Sequence, residues 1–255
     1  MTELTYQLYT SRKFPPLADT LAMLAGMGYV SVEGYSALYA DDALVADLVR
    51  HLEGSGLTMP SGHFSLDMIE TETAKVLDIA GALGIRTICV PHVAAESRPD
   101  TGGGWEAFGR RVAEAGKPIR DAGLHFSWHN HDFEFIPTDD GALPQAAIFE
   151  GAPDLEWEAD LAWVVRGGGD ALKAVADFAD RISAVHLKDI APAGQANGED
   201  GWADLGAGTV NWAGLIGALK TSPVRLWIVE HDNPSDDRRF AEASLAAARS
   251  LLAAR

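Results

Sequence analysis

Leu124-His125-Phe126-Ser127-Trp128-His129-Asn130-His131-Asp132-Phe133-Glu134-Phe135 is the stretch on which the fold turns. Leu124 to Ser127 reads as a short buried strand, and it opens without a spacer into residues of the kind that bind ions and substrates. His129 and His131 are two apart, so on a strand their rings point to the same side. Such a pair either faces one ion or one substrate, or packs as two hydrogen-bonded core histidines. The motif alone does not separate these readings. How the other strands end does.

Working outward, one pattern recurs: a short β-type run, a polar tip, then a helical stretch. Thr5 to Tyr9 predicts a first strand, and Leu17 to Ala25 a helix stopped by Gly26. Tyr29 to Val32 is the second strand, with Glu33 at its tip. Asp41 or Asp42 caps a helix over Ala43 to Leu52, which Gly54 and Gly56 end. The third strand starts at Leu57 and reaches His63, and Asp67 to Leu83 predicts one long helix closed by Gly84. Arg86 to Val90 is the fourth strand, followed by Pro91-His92. Gly102 to Gly104 form a loop into the helix Trp105 to Ala122, whose last turns Pro118 should weaken or bend.

Beyond the opening motif an irregular stretch runs to about Pro153, with a short helix near Pro144 to Phe149. Leu155 to Asp160 is the sixth strand, Gly167 to Gly169 a turn, and Asp170 to Phe178 a helix. Ile182 to Leu187 is the seventh strand. A polar, glycine-rich loop, Ala191 to Gly208, is placed to cover a site. Asn211 to Leu219 is a helix, Arg225 to Val229 the eighth strand, and Asp236 to Leu252 the closing helix. Eight strands alternating with helices predict a parallel sheet. At 255 residues, with no linker, they predict a single-domain (β/α)8 TIM barrel. The rival, an open doubly wound sheet, lacks a Gly-x-Gly-x-x-Gly turn after any strand.

A formal net charge of −17 repels phosphate backbones and anionic membranes, although an acidic surface also simply favours solubility. The single cysteine, Cys89, lies in the apolar run Ile88-Cys89-Val90, cannot form an internal disulfide, and fits a reducing compartment. The N-terminus shows no signal-peptide pattern, and no apolar run is long enough to span a bilayer. These features predict a cytoplasmic protein whose partner is a small molecule rather than nucleic acid or membrane. Whether it forms a homo-oligomer stays open.

A barrel carries its chemistry at the carboxyl ends of its strands. Strands two to five end at Glu33, His63, His92, and His129 with His131. Strands six to eight end at Glu158 with Asp160, His186 with Lys188, and Glu230 with Asp232. Charged groups are almost never buried without partners, so this ring points to a divalent cation. Carboxylate and imidazole ligands suit manganese, zinc, cobalt or nickel better than calcium. The alternative is that each residue caps a neighbouring loop on its own.

Trp128 to Phe135, Glu158 to Trp163 with Gly167 to Asp170, His186 to Asp189, and Ile228 to Glu230 together resemble the sugar isomerase/epimerase superfamily of xylose isomerase-like barrels. Inosose dehydratases, ketose 3-epimerases and, more distantly, apurinic endonucleases belong to it, and the resemblance covers essentially the whole chain. It implies one divalent ion (manganese, zinc, cobalt or magnesium) held by ligands from strands five to eight. Asp160, His186 and Glu230 match the last three places. His129 stands where many relatives carry a glutamate, and Glu134 or His131 are the other candidates for that place. Ketose 3-epimerases use the strand-five and strand-eight glutamates as acid and base, so this departure weighs against two-carboxylate epimerisation.

The implied activity is proton abstraction beside the carbonyl of a keto sugar or related polyol, giving isomerisation or epimerisation. Dehydration of an inosose or elimination from a 3-keto glycoside is the alternative. An apurinic-endonuclease-like phosphodiesterase and a non-catalytic sugar-binding subunit are further ones. His131, Glu134, Lys188 and Glu230 are the catalytic candidates. Glu33, His63, His92 and Trp163 are the substrate-binding candidates. Lys188 shares the inward face with His186 and either stabilises a developing enolate oxygen or pairs with Glu158. Trp163 and Trp202 stack on a sugar face or pack in the loops. Asp189 and His231 have the opposite parity and support the ligands.

Overall fold

A computed structural model describes residues 3–253. Eight parallel strands close into a barrel: β1 (Thr5–Gln7), β2 (Ser31–Gly34), β3 (Thr58–His63), β4 (Thr87–Val90), β5 (His125–His129), β6 (Glu156–Asp160), β7 (Ile182–Leu187) and β8 (Leu226–Val229). Each pairs with its neighbours in chain order, and β8 returns to β1. This is a (β/α)8 barrel, as the alternation predicts.

Several boundaries differ from the sequence reading, each for a local reason. The first helix runs Leu17–Met27, through Gly26, and stops at Gly28. Gly28 takes φ 95° and donates to the carbonyls of Leu24 and Ala25, a left-handed cap that suits glycine. The expected long helix is two, Leu66–Thr71 and Thr73–Leu83, broken at Glu72. The hydroxyls of Thr71 and Thr73 donate back to the carbonyls of Asp67 and Ile69, a competition that bends helices. The helix between β4 and β5 begins at Gly102, because the Thr101 side chain caps Gly104 N, and it continues through Pro118 to Asp121. Leu161–Arg166 is a further short helix, capped by the Asp160 carboxylate on Trp163 N.

Alternation along the strands sorts side chains between two environments. Trp128 and Trp157 face outward and are fully buried under the helices, against Phe108 and against Phe149 and Phe178. The inward set is polar and paired: Thr5 with Ser31 at 2.8 Å, and Gln7 and Ser61 both donating to Glu33, at 2.8 and 2.6 Å. Glu33 lies within β2 rather than at its tip, which puts its carboxylate in this layer. Ile182–Leu187 matches the expected seventh strand residue for residue.

Candidate active site

Strand ends deliver two layers of ionisable side chains, joined by one imidazole. In the lower layer His63 Nε2 stands 2.6 Å from Glu158 and 2.8 Å from Glu33. His129 Nδ1 stands 3.6 Å from Glu158, and His186 Nε2 3.1 Å from it. In the upper layer His186 Nδ1 stands 3.0 Å from Glu230 and 3.9 Å from Asp160. Parallel pairing aligns Asp160 with His186, so β6, β7 and β8 present these groups side by side. Two groups of side chains could therefore hold an ion: Asp160, His186 and Glu230, and His63, His129, Glu158 and His186.

Lys188, fully buried, extends the upper layer. Its ammonium reaches Asp232 at 2.6 Å, Glu230 at 3.0 Å and Asp160 at 3.6 Å. Of the two alternatives for Lys188, the pairing with Glu158 is not made: Glu158 lies a layer below and is met by histidines. Burial alone pushes Glu230 up, but Lys188 and His186 outweigh it and hold this carboxylate well below the usual range. Burial with too little compensation raises Asp160. Burial, with His186, His131 and His63 nearby, holds His129 well below the usual imidazole range. Burial, then Lys188 and His92, lower His131 to about 3. Both rings are thus neutral, with a lone pair to offer.

Above these layers opens a cavity of about 580 Å³, walled by Tyr9, Tyr35, His92, His131, Trp163 and Trp202, with His63, His129 and Glu230 reaching it from below. That volume suits a small-molecule site. The loop after β7 closes one side. Residues 189–190 pair antiparallel with 202–203, and the Asp189 carboxylate accepts from the amides of Gly206, Gly208 and Val210. Trp202 packs edge-on against Trp163 with ring centroids 4.6 Å apart, while Arg166 covers its outer face. His231 accepts from Asn233 N and packs on Phe240.

Of the expected ligands, Asp160, His186 and Glu230 come together, while His129 groups with His63, Glu158 and the shared His186 and not with Asp160 and Glu230. Of the expected substrate contacts, His63, His92 and Trp163 line the cavity; Glu33 is buried beneath it. His131 and Glu230 line it as well. Glu134 does not: its carboxylate accepts from His131 N and so braces the turn that carries that ring. Glu158 and Asp232 carry more of the site than their place at strand ends suggested. Their parity with Asp160 and Glu230 was the signal, and barrel closure supplied the partners.

Buried atoms without a hydrogen-bond partner include Asp160 Oδ2, His186 Nε2, His129 Nδ1 and Glu158 Oε2. Buried polar atoms are normally paired, so this set fits a cation as its missing partner.

Comparison with known proteins follows this geometry. The family model for the xylose isomerase-like TIM barrel matches residues 21–253. Similar solved structures include a sugar phosphate isomerase/epimerase from Parabacteroides distasonis, with 18% identity, 99% of this chain and 94% of that chain covered, and a TM-score of 0.80. An IOLI protein with a binding zinc atom matches at 14% identity, 99% of each chain, and a TM-score of 0.74. A probable 3-DHS dehydratase involved in petrobactin synthesis from Bacillus anthracis matches at 12% identity, 97% of this chain and 99% of that chain, and a TM-score of 0.72. No curated protein sequence matches. At such identities the solved structures show a shared fold and nothing finer. Among the described residues no helix is long and apolar enough to cross a membrane. By the match across residues 21–253, the chain belongs to the xylose isomerase-like TIM barrel family.

Proposed function

We propose that the protein is a divalent-metal-dependent isomerase or epimerase that moves a proton at the carbon beside the carbonyl of a keto sugar or related polyol. The observation that carries this reading is the convergence of Asp160, His186 and Glu230 beneath an aromatic-walled cavity. These three would hold the cation, manganese, zinc, cobalt or magnesium. When bound, such an ion supplies Lewis acidity to neighbouring carbonyl and hydroxyl oxygens and so acidifies the C–H between them.

The chain's own groups do the rest. Glu230 faces the cavity and is held ionised by Lys188 and His186, and His131 is a neutral ring on the same wall. These are the two groups placed to accept the proton. Lys188 pairs with Glu230 and Asp232 and helps hold Glu230 ionised. Trp163, Tyr9 and Tyr35 offer apolar faces to a sugar ring, and the buried, unpartnered Nε1 of Trp163 offers it a donor.

A second reading, elimination of water or a glycosyl group, is favoured by one feature. Glu230 has no carboxylate opposite it on β5, where His129 stands, so a facing pair of strand-five and strand-eight glutamates is missing. A panel of keto sugars, inososes and 3-keto glycosides, followed by NMR in deuterated water, tests both readings. Metal-loaded protein should place deuterium at a carbon beside the carbonyl of one class, with elimination marked by loss of water or alcohol. No exchange across the panel would reject both.

A further inference from the structure

We propose that His63, His129, Glu158 and His186 form a second divalent-cation site, one layer beneath Asp160 and Glu230, with the two nitrogens of His186 facing the two sites. The inference rests on the reading of the upper triad as one cation site and adds another below it.

Geometry comes first. Glu158 Oε1 stands 2.6, 3.1 and 3.6 Å from His63 Nε2, His186 Nε2 and His129 Nδ1. A tetrahedral zinc site with ligand bonds near 2.0–2.1 Å has ligand-to-ligand edges of about 3.3–3.4 Å. The four donors come from β3, β5, β6 and β7, are buried, and lie within 4.8 Å of one another.

Unmet bonding is the second observation. His129 Nδ1, Glu158 Oε2 and His186 Nε2 are buried without a hydrogen-bond partner. One ion held with Glu158 satisfies both ring nitrogens. Protonating His186 instead sets its Nε2–H against the Glu158 carboxylate at 3.1 Å but does nothing for His129. Charge is the third. Glu33 and Glu158 are fully buried, and their ion pairs among the described residues are with histidines alone. Lys188 spends its contacts on the upper carboxylates. Gln7 and Ser61 hold Glu33 beside His63, so two carboxylates meet one dication.

The two sites differ in chemistry. Three imidazoles and a carboxylate suit zinc or cobalt, whereas the upper site, with two carboxylates and one nitrogen, suits manganese or magnesium as well. With both ions bound, the proton that the His186 imidazole carries is released to solvent. The lower ion fixes the orientation of the ring that the upper one uses.

Stoichiometry tests this on the whole chain, stripped with chelator, loaded with cobalt(II) or zinc(II) and measured by elemental analysis. Wild-type protein should hold two equivalents. Glu158→Gln and His63→Asn should each hold one, and Glu230→Gln should lose the other. Circular dichroism melts check that each variant is folded, and two independent variants guard against one that is not. The cobalt(II) protein should show the strong visible absorption of a tetrahedral site, absent in Glu158→Gln and kept in Glu230→Gln. One equivalent that Glu158→Gln and His63→Asn leave untouched and Glu230→Gln removes overturns the second site and spares the proposed function. One equivalent lost with Glu158→Gln and kept with Glu230→Gln upholds the lower site and removes the upper. No bound ion overturns both.

Discussion

Replacing Glu134 with glutamine should change how stability depends on pH, by an amount the structure sets. Glu134 is fully buried, and burial raises its carboxyl from the ordinary 4.5 to about 8, against the opposing hydrogen bonds from backbone amides. A raised carboxyl means that between those values the folded chain holds a proton that the unfolded chain has released. Stability therefore falls as pH rises through that window, at about 1.4 kcal/mol per pH unit, and levels off above the folded value. The group is out of contact with solvent, so no discount for screening applies. The full loss amounts to about 5 kcal/mol, of which about 2 kcal/mol falls between pH 6 and 8. Glutamine keeps an acceptor for His131 N and carries no titrating proton. Urea unfolding of both proteins at half-unit steps from pH 5.5 to 9 should show the variant gaining on wild type by that amount between pH 6 and 8. Above about pH 8.5 the difference should be constant. A difference independent of pH would refute the account of Glu134 as a buried brace for the His131 turn.

Other consequences concern the packing of the site and its scaffold. Lys188→Met leaves Asp160, Glu230 and Asp232 without their ammonium. Denaturant titration should show a loss of roughly 3–5 kcal/mol, partly restored by excess divalent ion. Gly109→Ala drives a methyl into the Ile148 carbonyl oxygen, where the helix Gly102–Asp121 meets the short helix Pro144–Gly151. Thermal melts should show a cost of roughly 1–3 kcal/mol. Gly54→Ala, inside Asp42–Ser55 with open space around it, should instead stabilise by about 0.5–1 kcal/mol.

The barrel was legible because its strands are short apolar runs that each break into polar residues. Ile182 to Leu187, followed directly by Lys188-Asp189, shows the pattern at its clearest. Strand ends also put Asp160, His186 and Glu230 in a wider ring of ionisable residues, from which the family resemblance singled out these three. What the sequence hid is contact across the barrel. His63 on β3 meets Glu158 on β6, 95 residues later, because closure brings opposite strands face to face. Nothing in local spacing reports that distance. The partners of Lys188 were hidden in the same way. Register sets it beside the residues that follow β8, Glu230 and Asp232, and not against Glu158 below. The helix break at Glu72 was hidden for a different reason: hydrophobic spacing continues across it, while the two threonine hydroxyls compete for the backbone.

The central claim is that this ring of strand-end groups grips a divalent cation, and His186 belongs to both clusters that could do so. Wild-type and His186→Ala proteins, stripped, reloaded and passed over a desalting column, should therefore differ sharply in retained metal. The account predicts stoichiometric ion in wild type and almost none in a folded variant. A folded His186→Ala protein that keeps as much metal as wild type would contradict it.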